Sequence, residues 1–320
     1  MTLAQEKQFQ MIDVSIIIPV YNAADNLAGL IAKILSETRI NIELIIVNDG
    51  SVDGTGSIVR DIRDSRIILI EQNNQGVYAA RNTALDIHRG EWVIFLDADD
   101  DVEDGFIYER WQAAVKTQAD VAIFNAWRTD SGSFRAPVHT RQPYGQTLSG
   151  HDWIRHCVTH REWPHYLWLQ IIRSSYLMQH ALSFQAGKSH KDILWTIHLA
   201  VSNGRFSLSD TKDYTYKVNA DSITHRRDYY DVRAQSYIEV IADIIRLAKR
   251  EKNKNISLFL YRHALVEARH FLGLYRNNVC DTSGVKIHFR TEISLLRLFK
   301  GISNTSDLFF FVKLSWKLLT

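Results

Sequence analysis

Between residues 14 and 124, short and continuously apolar runs alternate with stretches of helical periodicity. A chain written this way folds into a sheet of parallel βαβ units with helices over its faces. The runs are Ser15-Ile16-Ile17-Ile18, Leu44-Ile45-Ile46-Val47, Ile67-Ile68-Leu69-Ile70, Trp92-Val93-Ile94-Phe95-Leu96 and Val121-Ala122-Ile123-Phe124. Each is short, rich in β-branched or aromatic residues and free of alternation, so the pattern predicts strands buried on both faces. Between the first two runs, Leu27, Leu30, Ile31, Ile34 and Leu35 recur at helical spacing, with Asn22 or Asp25 available as an N-cap. That stretch is expected to be a helix covering the sheet.

Residues 126–150 are polar, with scattered Gly, Ser, Thr and Pro, and read as loop and short edge strand. Residues 152–219 are rich in Trp, Tyr and His and mix helix with strand. Beyond Tyr229, residues 237–250 and 256–275 carry apolar residues at helical period. The expected layout is an α/β nucleotide-binding domain over residues 1–225, with a nucleotide half at about 14–125 and an acceptor half at about 126–225. A mainly helical C-terminal extension follows over 226–320. A chain of 320 residues that is 46% hydrophobic can bury such a core.

Charge divides with the same boundary. Residues 1–224 hold 21 Lys/Arg against 27 Asp/Glu, and the remainder holds 17 against 9. A basic tail of this kind fits an anionic lipid surface or phosphorylated acceptor as well as a solvated helical face. No recognised nucleic-acid motif accompanies it, so nucleic acid is not an expected partner. Cys157 and Cys280 form neither a disulfide framework nor a zinc-type spacing. No apolar run reaches the ~20 residues that span a bilayer. A cytoplasmic protein is expected, with residues 308–319 (Phe309, Phe310, Phe311, Leu314, Trp316, Leu318, Lys313 and Lys317) either docked on the domain or lying at the cytoplasmic face of a membrane.

In an open parallel sheet, ligands bind beyond the carboxyl ends of the strands. Here Pro19-Val20-Tyr21-Asn22 follows the first run, Asn48-Asp49-Gly50-Ser51-Val52-Asp53-Gly54-Thr55 the second, and Asp97-Ala98-Asp99-Asp100 the fourth. The carboxylates of Asp97, Asp99, Asp100 and Asp101 would repel one another unless a cation or solvent relieves them, and Mg²⁺ or Mn²⁺ with a nucleotide diphosphate suits such oxygen ligands. An acidic helix N-terminus is the plainer alternative. No Walker loop or Gly-x-Gly-x-x-Gly fingerprint is present, so metal together with Arg81, in Asn74-Gln75-Gly76-Val77-Tyr78-Ala79-Ala80-Arg81-Asn82, would have to hold the phosphates.

Taken in order and spacing, these segments resemble the family 2 inverting glycosyltransferases of GT-A (Rossmann-like) fold. The resemblance covers about residues 14–225. It implies that Tyr21 with Pro19, Val20 and Asn22 lines the nucleobase of a UDP-sugar and that Asp49 accepts a hydrogen bond from the uracil. It implies further that Arg81 belongs to the nucleotide site, that Asp97 and Ala98 lie near the ribose and metal, and that Asp99 with Asp97 ligates Mn²⁺ or Mg²⁺. In the family a Glu-Asp pair supplies the base, and the matching segment here is Lys191-Asp192, which leaves Asp192 as the candidate base. Lys191 would then either alter acceptor binding or lower the pKa of Asp192; an N-cap role for Asp192 on a helix from Ile193 is the alternative. Trp195 is a further candidate acceptor contact, although aromatics at such spacing are more often core. Lys217, in Tyr214-Thr215-Tyr216-Lys217, stands where the family often has Arg, and His225 is either near the metal or a packing residue.

The expected activity is transfer of a hexosyl or N-acetylhexosaminyl group from a UDP-sugar to a hydroxyl of a glycan or lipid-linked glycan, with a β-linkage formed. Bacterial lipopolysaccharide, O-antigen or capsule is the expected product class. A non-catalytic nucleotide- or glycan-binding relative and a sugar-nucleotide nucleotidyltransferase are the competing readings. The nucleotidyltransferase would need a Gly-rich, Arg-bearing loop where Pro19-Val20-Tyr21-Asn22 stands. Donor sugar and oligomeric state stay open.

Overall fold

The computed structural model describes residues 11–129, 135–217 and 229–319. Strands β1 (Val14–Val20), β2 (Ile42–Asp49), β3 (Ile67–Gln72), β4 (Trp92–Phe95), β5 (Val121–Thr129), β6 (Arg135–Pro137), β7 (Thr147–Ser149), β8 (Gln170–Arg173) and β9 (Arg205–Lys217) form one nine-stranded sheet. Its order is β3-β2-β1-β4-β8-β5-β9-β7, with β6 on β5. Strands β1 to β4 pair in parallel, while β8 runs antiparallel between β4 and β5.

All five apolar runs become strands. β1, β2 and β4 are buried along their whole length, as their composition requires. β3 is only partly buried, because it is the sheet's edge and nothing lies beyond it. Successive side chains point to opposite faces of a strand. Ile16, Ile18, Leu44, Ile46, Trp92 and Ile94 therefore enter one core. Ile17, Ile45, Val47, Val93 and Phe95 enter the other.

The first face carries α1 (Ala24–Leu35), α2 (Thr55–Asp61) and α4 (Phe106–Thr117). α1 presents Leu27, Leu30, Ile31 and Ile34 to the sheet. Its expected side-chain caps do not form: neither Asn22 nor Asp25 caps it, and Ala23 occupies the N-cap. Thr55 Oγ1 accepts from Ala23 N at 2.9 Å and Asp53 Oδ2 from Ala24 N at 3.3 Å, so the neighbouring loop satisfies the orphan donors.

The second face carries α3 (Val77–Leu85), α5 (Gly150–His160), α6 (Ser174–Gln179) and α7 (Lys191–Val201). The C-terminal helices α8 (Tyr229–Arg250), α9 (Lys254–Asn277), α10 (Thr282–Glu292), α11 (Leu295–Leu298) and α12 (Thr305–Leu319) continue that same core. The C-terminal helices thus pack on the sheet-bearing part of the chain through α5 and α7. No helix among the described residues is long and apolar enough to cross a membrane.

A buried ion pair ties α4 to β9. Arg110 of α4 is fully buried and donates from Nε and Nη2 to Asp213 of β9 at 2.8 and 2.6 Å. Its guanidinium carbon lies 3.9 Å from the Phe106 ring centroid and 4.6 Å from that of Phe124. A charge held this way survives burial because its donors are satisfied.

Candidate active site

The loops after β1 and β2 lock together at the carboxyl edge. Asn22, in the left-handed region at φ 52°, donates its N–H to Ser51 Oγ at 2.9 Å, and its Oδ1 accepts from Val52 N at 2.9 Å. Pro19 and Val20 are buried within β1, so only their backbone can face a ligand. Tyr21 is 53% exposed and carries the ring expected to meet the nucleobase.

Asp49, at the end of β2, is 3% exposed. Its Oδ1 accepts from Gln72 Nε2 and Gln75 N, and its Oδ2 from Gly76 N, each at 2.8 Å. Most of its acceptor capacity is therefore taken by the loop before α3. Gly50 holds φ 77°, and a Cβ there would stand 2.9 Å from Asn74 N, so glycine is required where these loops meet.

The four acidic residues after β4 separate into four environments. Asp97 Oδ1 accepts from Arg81 Nη2 at 2.5 Å. Asp100 is half-buried; its Oδ2 accepts from Asp97 N at 2.7 Å, and Tyr214 Oη donates to its Oδ1. Burial and the charge of Asp97 push its carboxyl well above the usual carboxylate range. Asp101 lies between Lys33 Nζ at 2.8 Å and Lys217 Nζ at 3.0 Å, and these bonds hold it below the ordinary value. Asp99 is exposed and forms no hydrogen bond or ion pair among the described residues. The repulsion expected of the cluster is thus relieved mainly within the chain, by Arg81, Lys33, Lys217 and the hydrogen bonds that Asp100 accepts. The donors that fit a hard divalent ion are Asp99 and the second oxygen of Asp97, enough for Mg²⁺ or Mn²⁺, which keeps water and phosphate ligands.

Arg81 is 6% exposed, and its Nε donates to nothing among the described residues. Tyr78, one turn earlier on α3, accepts at Oη from Lys191 N at 3.0 Å and so ties the start of α7 to the nucleotide half. Sequence reading passed over Tyr78, since a tyrosine on a helix carries no signal of a contact 113 residues away.

Asp192 sits in the first turn of α7, behind His190, which is the N-cap at φ 59°. It is not itself the cap. Burial pushes its carboxyl up to about 6, opposed by the Arg81 charge and by the backbone N–H groups of Asp192 and Ile193, and reinforced by Asp97. Lys191 does not lower it. Lys191 is 3% exposed and its Nζ pairs with Glu239 Oε2 of α8 at 2.8 Å, pointing into the helical module. Lys191 as an acceptor contact is corrected accordingly: its charge is neutralised inside the fold. Trp195 is corrected likewise. It is 2% exposed, stacked on Phe184 at 4.1 Å and edge-on to Phe95 at 5.6 Å, with Nε1 donating to Gln170 Oε1 at 3.2 Å, so it is core. His225 lies outside the described residues.

Residues 15–168 match the family model "Glycosyl transferase family 2". The chain is 24% identical over 322 aligned positions to the uncharacterised glycosyltransferase YibD of Escherichia coli K12, covering 91% of this chain and 94% of that one. It is 48% identical over 88 residues to the E. coli UDP-Glc:alpha-D-GlcNAc-diphosphoundecaprenol beta-1,3-glucosyltransferase WfaP, covering 27% of this chain and 35% of that protein. Among solved structures, S. aureus TarS 1-349 in complex with UDP superposes with a TM-score of 0.65 at 19% identity, covering 97% of this chain and 92% of that one. The Mn²⁺ and GDP-Man complex of a Pyrobaculum calidifontis mannosyltransferase gives 0.54 at 16%, covering 96% and 86%. Residues 15–168 thus carry a family 2 glycosyltransferase domain, and the chain has the GT-A fold, with a helical C-terminal region.

Proposed function

We propose that this glycosyltransferase moves a hexosyl or N-acetylhexosaminyl group from a UDP-sugar to a hydroxyl of a glycan or lipid-linked glycan, with inversion to a β-linkage, in the synthesis of a bacterial surface polysaccharide. The observation that carries the reading is Asp192: a carboxyl raised to about 6 by burial, within the fields of Arg81 and Asp97. A base with a pKa near the working pH combines the right protonation state with adequate basicity. UDP as the nucleotide is supported by the TarS complex and by the named donor of WfaP, whose β-1,3 product and lipid-linked acceptor agree with inversion.

In this reading Tyr21 and the loop held by Asp49 receive the uracil, and Arg81 holds Asp97 beside the diphosphate. Asp99 and Asp97 would hold Mn²⁺ or Mg²⁺, which when bound offsets charge on the departing diphosphate. The acceptor hydroxyl lies on the Asp192 side. Its proton passes to the Asp192 carboxylate as its oxygen bonds the anomeric carbon, and the bond from that carbon to the diphosphate oxygen breaks on the opposite side. The outer face of α12 is assigned to peripheral contact with an anionic membrane surface, where a lipid-linked acceptor would be found.

The test is UDP release across a panel of UDP-sugars and simple glycan acceptors, with Mn²⁺, Mg²⁺ or EDTA, for the parent chain beside Asp99→Ala and Asp192→Asn. Metal-dependent release lost in both variants supports the reading. UDP binding with no turnover and no effect of Asp192→Asn overturns it in favour of a nucleotide-binding protein.

A further inference from the structure

Outside the acidic loop, the junction between α9 and the catalytic half gathers a second set of ligating side chains. His263 and Glu267 stand four residues apart on α9, both 3% exposed, with Nε2 of the histidine 3.6 Å from Oε1 of the glutamate. The segment joining α5 to the 3-10 turn Leu167–Leu169 brings His165 to the same point. One ligand atom from each of the three lies within 4.8 Å of the others.

Hydrogen bonding within the chain leaves this cluster unfinished. Among the described residues neither ring nitrogen of His165 has a hydrogen-bond partner, nor does Nε2 of His263, although all three atoms are buried. Buried polar atoms are nearly always satisfied, and three such imidazole nitrogens at one point call for a partner that the described residues do not supply. The surroundings hold the rings in place. Trp163 stacks on His263 at 4.4 Å and on His165 at 5.5 Å, and the second oxygen of Glu267 accepts from His270 Nδ1 at 3.2 Å.

We propose that His165, His263 and Glu267 form a metal site for a Zn²⁺-class ion, which fastens α9 of the helical module to the catalytic half. Two imidazoles and one carboxylate match that class of ion, whereas the all-oxygen set at Asp97 and Asp99 suits Mg²⁺ or Mn²⁺. Tetrahedral coordination with bonds of about 2.1 Å places ligand atoms ~3.4 Å apart. His263 and Glu267 are already near that separation at 3.6 Å, and a ligand atom of His165 lies within 4.8 Å of both. The adjoining cavity of about 180 Å³, lined by Cys157, Glu162 and Tyr237 among others, leaves room for a water as fourth ligand. The hydrogen bond from His270 would orient the ligating carboxylate from outside, as such partners do at metal centres.

The experiment uses the full chain carrying Asp99→Ala, freed of metal by chelation, and titrates it with Zn²⁺ and with Co²⁺ as a spectroscopic substitute. The expected result is about one equivalent of Zn²⁺ bound, visible Co²⁺ bands of a four-coordinate N/O site, and no displacement by Mn²⁺. Adding His165→Ala or Glu267→Gln weakens Zn²⁺ binding by more than ~100-fold, beyond what losing an outer-shell partner does. Absence of both stoichiometric Zn²⁺ and the Co²⁺ bands overturns the proposal, as does binding unchanged in both added variants. The pair of half-buried His156 and exposed His160, stacked at 4.0 Å, is the competing site. Bands that disappear with His156→Ala overturn the proposal; bands that survive it support the buried cluster, even where His165→Ala or Glu267→Gln fails to fold.

Discussion

Arg81 of α3 donates from Nη2 to Oδ1 of Asp97 across 2.5 Å, with the arginine side chain 7% and the aspartate side chain 46% exposed. The guanidinium is thus sunk in the wall of the cleft while its partner faces outward. This contact keeps Asp97 beside Asp100 without requiring both to be bare anions. Arg81→Met should weaken UDP binding by roughly 10–100-fold, the value of a hydrogen bond to a charged group. Arg81→Lys should recover only part, because an ammonium lacks the fixed fork. Calorimetric titration with UDP and Mn²⁺ checks both; unchanged affinity in Arg81→Met would remove Arg81 from the nucleotide site.

The raised carboxyl of Asp192 has two measurable consequences. A base must be ionised, so kcat/KM should fall about tenfold per pH unit below a pKa near 6, and Asp192→Asn should cost ~10²–10⁴-fold in rate. Stability runs the other way. A folded pKa above the unfolded value of about 3.9 means that ionisation opposes folding: the favourable contribution is full below pH ~4 and is lost as pH rises through about 6. Asp192→Asn should therefore be more stable than the parent at pH 8, by up to ~3 kcal/mol, with the gain vanishing near pH 4. Denaturant melts at the two pH values decide it; a variant less stable at pH 8 contradicts the burial argument.

The Lys191–Glu239 pair accounts for the departure from the family's Glu-Asp pattern. A glutamate at position 191 would meet Glu239, whereas the lysine meets it at 2.8 Å with its own side chain 3% exposed. Only the lysine end of the pair is buried, Glu239 being 44% exposed, and Lys191→Glu is expected to destabilise the fold by about 1–3 kcal/mol, the cost of a buried polar group left without its partner. Adding Glu239→Lys should return at least ~1 kcal/mol of that loss, a coupling that a double-mutant cycle isolates. Additive effects would show that the pair does not set the residue at 191.

Arg110 and Asp213 carry the same logic without any signal in the sequence. They are 103 residues apart, and an Arg in a helix followed much later by an Asp in a strand is unremarkable on either side. Arg110→Met or Asp213→Asn should cost ~3–5 kcal/mol, by leaving the other group buried and unpaired, while the double replacement should cost less than the sum. Equilibrium urea unfolding gives the values, and simple additivity would argue against the pairing.

What could be read from the sequence follows from how local each cause is. The five strands were legible because burial on both faces demands uninterrupted Ile, Val and Leu, and α1 because its period points one way. Tyr21, Asp49 and Asp97 share one edge because strand ends converge in such a sheet, and Arg81 reaches that edge from α3 through its contact with Asp97. The antiparallel insertion of β8 between β4 and β5 was not, since strand order depends on pairings far apart in the chain. The cap on α1 was misread because Thr55 and Asp53 supply from another loop what Asn22 and Asp25 only made available. Trp195 was ambiguous because an aromatic suits a sugar or a core, and only the closeness of Phe184 and Phe95 decides between them.

The two readings of the C-terminal segment concern opposite faces of α12. Phe310, Leu314 and Leu318 recur every four residues and are buried in the core. Leu308, Phe309, Val312, Trp316 and Leu319 stand 44–76% exposed on the remaining surface, beside exposed Lys313 and Lys317. Deleting the helix would therefore uncover the core and confuse unfolding with loss of docking. Phe309→Ser with Trp316→Ser is the discriminating change, because both side chains point outward and their loss leaves the core intact. The pair of substitutions should lower sedimentation with anionic liposomes by at least ~10-fold, given that an aromatic ring buries 150–250 Å² at about 25 cal/mol per Å². Activity on a soluble acceptor should stay unchanged, and binding should weaken with salt as the lysines are screened. Equal sedimentation of parent and variant would remove the membrane from the account of this face.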